Sequence, residues 1–98
     1  MKVVWDEAKN LANQKKHGVS FEEARALFDH GRDYLEIFDE AHSDEEDQFV
    51  AIGLIEKGLV LVVYTTRDDD ETIRLISARW ATKRETDLFR NYIQGGAQ

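Results

Sequence analysis

The run Leu59-Val60-Leu61-Val62-Val63-Tyr64 contains no charged or amide side chain. A strand with one wet face alternates apolar and polar residues, so an unbroken apolar run reads as a central strand covered on both faces. That requires strand neighbours on both sides and something packed on each surface. The flanking sequence supplies the neighbours. Tyr34 to Phe38, Gln48 to Ile55 and Thr72 to Trp80 read as strands, and the central strand itself spans Leu59 to Thr66. Gly58 turns its first pairing and Arg67 to Glu71 its second, while Asp39 to Asp47 forms an acidic hairpin loop. In the last strand a period of two puts Ile73, Leu75, Ser77 and Arg79 on one face and Arg74, Ile76, Ala78 and Trp80 on the other.

Proline is absent, so helices must stop at glycine and at turns. Val3-Val4-Trp5 reads as a short strand or extended lead-in. Asp6 can cap a helix whose apolar stripe is Ala8, Leu11, Ala12 and the stem of Lys15. Lys15, Lys16 and His17 fill its last turn, where cations meet the negative end of the helix dipole, and Gly18 supplies the left-handed stop. Ser20 and Glu23 match a capping box for a second helix, with Ala24, Leu27 and Phe28 as its stripe and Gly31 as its end. Thr82 and Glu85 repeat the pattern for a last helix, Thr82 to Ile93, followed by a frayed tail from Gly95. The expected fold is α+β in one domain over residues 1–98: two N-terminal helices, a four-stranded antiparallel meander and a C-terminal helix.

Composition removes several chemistries. Without cysteine there is no disulfide, thiolate or cysteine-based zinc site. No apolar stretch reaches the roughly 20 residues of a membrane helix and no signal-like apolar run opens the chain, so a cytoplasmic protein with no membrane contact is expected. His17, His30 and His42 lack ligand spacing, and Asp68-Asp69-Asp70 lacks the glycine and closing glutamate of a calcium loop. No phosphate loop or nucleophile elbow is present. The expectation is a site without metal or cofactor, drawn from Lys16, His17, Glu22, Glu23, Tyr64, Arg67, Arg74, Ser77, Arg79 and Lys83. Ser20 and Glu23 have capping duties, whereas Glu22 has none and is freer to act. Charge is unevenly spread. Residues 1–20 hold four Lys/Arg against two Asp/Glu, residues 21–72 four against sixteen, and residues 73–98 five against two. Basic ends around an acidic middle suggest separate surfaces for different partners.

These motifs resemble the BrnT family of type II toxins, small ribonucleases related in fold to RelE. The resemblance runs through four blocks: Trp5, Asp6, Lys9, Asn13 and Lys16 to Ala24; Glu46, Phe49 and Ala51 to Gly53; Val62 to Thr65 with Arg67; and Ile73, Arg74, Ile76 to Arg79, Ala81, Thr82 and Glu85. The chain departs from the pattern at Gln48, where members often carry arginine, and in the less basic Thr86-Asp87-Leu88. The resemblance implies a metal-independent endoribonuclease that inhibits translation. A small ribbon-helix-helix antitoxin of the BrnA kind would neutralise it, and the complex would reach operator DNA only through that antitoxin. The chemistry of metal-free RNA cleavage then suggests roles. Arg67 and Arg79 would stabilise the charged phosphorane, Lys16 would contact phosphate, and His17 or Glu22 would move protons. Lys15, Arg74, Ser77 and Lys83 would add RNA contacts. The acidic segments 39–47 or 68–71 would meet a cationic antitoxin. The alternatives are a catalytically weak homologue serving as an antitoxin-binding corepressor, and a plain interaction domain.

Overall fold

The apolar run does lie at the centre of the sheet. A computed structural model of the chain describes residues 2–29, 32–43, 46–67 and 71–95, the side chain of His42 excepted. The expected helix end at Gly31, His30, the aspartates 68–70 and most of the tail lie outside those residues. Strands β1 (Lys2–Val4), β2 (Tyr34–Phe38), β3 (Gln48–Ile55), β4 (Gly58–Arg67) and β5 (Thr72–Trp80) form one sheet in the order β1-β5-β4-β3-β2. The strands from β2 to β5 make the expected antiparallel meander.

The fifth strand corrects the expectation of a four-stranded antiparallel sheet. β1 runs parallel to β5, with Lys2, Val3 and Val4 opposite Thr72, Ile73 and Arg74. Three extended residues here satisfy backbone groups on the outer edge of β5, and Lys2 N–H adds a bond to Glu71 C=O at 3.0 Å. The sheet is therefore mixed.

Helix α1 (Glu7–His17) is capped as its sequence dictates. The Asp6 carboxylate accepts from the N–H groups of Ala8 and Lys9, and Gly18 closes the helix at φ 76°. Its buried face is not the expected one. Ala8, Ala12 and Lys15 are exposed and Leu11 is 60 % exposed, while Asn10 and Asn13 are buried. The reason is backbone accounting. Beyond the end of β1, the outer edge of β5 has no strand partner, and Asn13 takes the place of one. Its side-chain oxygen accepts from Ala78 N–H at 3.1 Å and its amide donates to Ala78 C=O at 2.8 Å. Asn10 accepts from Phe21 N–H at 2.8 Å and so joins α1 to the next helix.

That next helix, α2 (Phe21–Arg25), has both halves of the Ser20–Glu23 capping box and runs on into a single 3-10 turn, Ala26–Phe28; Asp29 is already extended, so the helix stops short of Gly31, its expected end. Val19, Phe21, Ala24 and Leu27 pack on one face of the sheet against Ala51, Ile55, Val60, Val62, Tyr64, Ile73, Leu75 and Ala78. Each fully buried side chain of leucine or phenylalanine size contributes about 1.5–3 kcal/mol. Gly53 permits this approach, since a Cβ there would overlap Leu27 Cδ1 and lie 2.9 Å from Tyr34 Cβ.

A register shift between Val63 and Tyr64 changes the faces of β5. Val63 pairs with Ser77 and Tyr64 with Leu75, which leaves Ile76 as a bulge. Ile73, Leu75 and Ala78 therefore all reach the core. The expected alternation through residues 73–80 holds only on each side of Ile76.

Helix α3 (Lys83–Ile93) lies against the opposite face, near β2 and β3, and has no fully buried residue. It leaves part of that face open. The capping box at Thr82 and Glu85 forms as expected.

Candidate functional site

The bulge that fixes the core also turns Arg74 onto the open face. Directly opposed residues in a sheet share a face, and residues two apart along β4 stay on it. Arg79 opposes Leu61, Ser77 opposes Val63, Arg74 opposes Thr65, and Thr72 opposes Arg67. Arg67, Arg74, Ser77 and Arg79 consequently occupy one face, the side on which α3 sits. Without the bulge Arg74 would point to the core side.

The three arginines are held differently. Arg79 makes a fork to Glu85, with Nη1 to Oε1 at 2.8 Å and Nη2 to Oε2 at 2.7 Å. Glu85 holds the Arg79 guanidinium above its ordinary range, and Arg79 in return pulls the Glu85 carboxyl down to about 2. Arg67 lies 3.8 Å from Glu46, a loose and exposed pair. Arg74 is half-buried and makes no ion pair among the described residues. Thr65, opposite Arg74, buries a hydroxyl that has no hydrogen-bond partner among the described residues. Sequence reasoning found Glu85 as a cap and missed it as the partner of Arg79. The signal was a capping glutamate six positions after an arginine at a strand end.

The other predicted residues fall in two places. The turn holding Lys15, Lys16 and His17 ends at Gly18, where an added Cβ would sit 3.7 Å from Trp80 Nε1. This puts the basic turn beside the C-terminal end of β5 on the side of Trp80, which opposes Val60 on the core face, while Arg79 one residue earlier opposes Leu61 on the open face. Lys83 opens α3 just past the same end. Glu22 is not with them. It belongs to α2 on the core side, and its Oε1 accepts from Asn10 Nδ2 at 2.7 Å, so it has the structural duty that its sequence position did not suggest. Glu23, besides capping, pairs with Lys57, which lowers its carboxyl below the usual range. Tyr64 is on the core face, where its phenol donates to Glu36; burial first, and then that carboxylate, push the phenol far above its ordinary range. Tyr64 stacks on Phe49 at 5.6 Å between ring centres, within an aromatic group that includes Phe28.

Beside the arginines the open face carries a groove of about 430 Å³, lined by Ile37, Val50, Ile52, Leu61, Val63 and Leu88 with Arg79 and Glu85 at its rim. Among the described residues no three His, Cys, Asp or Glu side chains converge as a metal-ligand group. No helix among them is long and apolar enough to cross a membrane.

The fold and face define a small α+β domain with one helix-packed core face and one open face that is cationic at β4 and β5. A family model described as the ribonuclease toxin BrnT of type II toxin-antitoxin systems matches residues 5–85, and the chain belongs to that family. The match takes in α1, α2, the whole meander and the capping box of α3. No curated protein matches the chain.

Proposed function

We propose that this chain is an endoribonuclease toxin that cleaves RNA on the cationic face of β4 and β5 with its own side chains and no metal. The observation that supports this best is the row of Arg67, Arg74, Ser77 and Arg79 along one face of β4 and β5, which the bulge at Ile76 completes by turning Arg74 onto it. Guanidinium forks match phosphate oxygens, and a row of them suits a backbone of repeating phosphates. Cleavage needs the ribose 2′-hydroxyl proton removed, so that its oxygen attacks phosphorus. The phosphorane charge must be balanced, and the 5′ oxygen must leave with a proton. Arg79 balances that charge, Arg67, six β4 positions from the Leu61 that opposes Arg79 and so about 20 Å away, holds a phosphate further along the strand, and Lys16 and Lys15 hold another. His17 takes the 2′-hydroxyl proton, histidine being the side chain most often used for such proton transfers. We prefer it to Glu22, which is occupied by Asn10. Arg74, Ser77 and Lys83 position the strand. Loss of intact message then stops translation. A ribbon-helix-helix antitoxin neutralises the enzyme in the cytoplasm and brings the complex to operator DNA.

The test is cleavage of RNA by the purified chain in the presence of EDTA, together with growth arrest on expression. Removing one donor to a developing oxyanion typically costs about 10²–10³ in rate, so Arg79→Ala should lose most cleavage and relieve the arrest. Arg67→Ala and Arg79→Ala variants that cleave and arrest like the parent would place the site elsewhere. A second reading, a binding module without strong catalysis, is favoured by the pairing of Arg79 with Glu85 and of Arg67 with Glu46. RNA left intact by both the parent and Glu85→Gln, in which Arg79 is released, would favour it.

A further inference from the structure

We propose that the outer edge of β2 and the apolar groove beside it take an extended, cationic segment of the antitoxin, which joins the sheet as a sixth strand. This rests on the toxin reading above, and it names a surface that the reading leaves open.

Three observations carry it. The first is the edge. β2 ends the sheet, and Asp39 N–H donates inward to Gln48 C=O at 2.8 Å. Antiparallel pairs alternate between bonded and non-bonded, so residues 35 and 37 also face β3 while the N–H and C=O of Tyr34, Glu36 and Phe38 face outward. No hydrogen bond among the described residues reaches those outward groups. At the opposite side of the sheet, β1 and the Asn13 amide occupy the outer edge of β5. A free edge of alternating donors and acceptors fits an extended chain.

The second observation is the groove. An added strand would set every other side chain beside Leu35 and Ile37, toward Val50, Ile52 and Leu88. Ile37 and Leu88 are 40 % and 43 % exposed, so apolar area remains there to be covered. The third is charge. Residues 33–56 hold nine Asp/Glu and no Lys or Arg. An RNA backbone is repelled by such a surface and a cationic peptide is drawn to it. A second copy of β2 is disfavoured too, because it would set Glu36 and its acidic neighbours against their own kind.

The experiment uses the full chain and the product of the small open reading frame next to its gene. Amide exchange is read at Tyr34, Glu36 and Phe38, free and in complex. All three should exchange fast in the free chain and become protected when the partner binds. Affinity is then compared between Phe38→Ala and Phe38→Pro. Proline removes an N–H that faces outward, which an edge strand tolerates, so both variants keep the ladder to β3. Phe38→Pro should bind at least about tenfold more weakly than Phe38→Ala, and raised salt should weaken the parent complex. If Phe38→Pro does not fold, protection in the parent complex decides alone. The proposal is overturned if the partner binds and rescues growth while the three amides stay unprotected. Protection that appears with RNA alone, or with self-association of the chain, overturns it as well. If the chain neither arrests growth nor binds this partner, the toxin reading itself fails.

Discussion

The decisive single residues here are two asparagines that the hydrophobic pattern hides. Asn13 donates to the carbonyls of Val19 and Ala78 and accepts from Ala78 N–H. Truncation would leave those three backbone groups without a partner in a buried place, at about 1–3 kcal/mol for each unsatisfied group that water cannot reach. Asn13→Ala is therefore expected to cost about 3 kcal/mol or more in denaturant unfolding. Leu11→Ala, on the exposed side of the same helix, should stay within about 0.5 kcal/mol. Equal costs for the two would mean that α1 docks by the apolar stripe instead. The caps were legible in the sequence because their partners lie two or three residues away, as with Asp6, Ser20 and Thr82. Asn13 was not, because Ala78 is 65 positions distant and an amide at helical spacing looks like a polar surface residue. The same distance hid the tie between Asn10 and Glu22.

At the scale of elements, the strands were legible from their composition and the bulge was not. Ile76 looks like any other β-branched strand residue, and only the simultaneous demands of Ile73, Leu75 and Ala78 for the core expose the slip. Helix α3 shows a related dependence. Its ends follow from its capping box, but it buries no residue fully, and polar ties add to the half-covered apolar side chains, Leu88 and Phe89 among them, that it lays on the sheet. Glu85 makes the main polar tie, because it caps the Thr82 N–H at 2.8 Å and forks with Arg79. Its folded carboxyl sits near 2, below the ordinary 4.5, so the folded state binds fewer protons than the unfolded chain between those values. The stabilisation from Glu85 is thus complete above about pH 4.5 and is lost as pH falls through 2. Glu85→Gln keeps the cap, since glutamine also serves at that position, and removes the charge. The stability gap between parent and Glu85→Gln, measured by urea unfolding, should shrink steadily from pH 5 to pH 2. A gap that does not change with pH would show that the pair contributes nothing through its charge.

For the whole molecule, net charge misleads and its distribution informs. The chain carries −7, yet the fold sorts its charge. The segment from β2 into β3 contributes acids, and the open face of β4 and β5 contributes Arg67, Arg74 and Arg79. The tally along the sequence showed basic ends and an acidic middle, but not how the ends meet. The structure brings them to one end of β5: α1 packs along its edge, and the turn that ends at Gly18 lies beside Trp80, which shares the core face with Val60, whereas Arg79 shares the open face with Leu61. This arrangement has a measurable consequence for RNA binding. Each phosphate neutralised on a single strand contributes about −0.7 to the slope of log K against log salt, so three arginine contacts predict a slope of about −2. Engagement of the Lys15–Lys16 turn would make it steeper. Because Arg74 has no carboxylate to return to among the described residues, its loss should appear undiluted: Arg74→Ala is expected to flatten the slope by about 0.7. Arg79→Ala should flatten it by less, since freeing Arg79 for phosphate means giving up part of its fork with Glu85. Titrations by fluorescence anisotropy across a range of salt, with a short labelled oligonucleotide, would read both slopes. A parent slope near zero, or an Arg74→Ala slope equal to that of the parent, would remove the open face of β4 and β5 as the place where RNA is held.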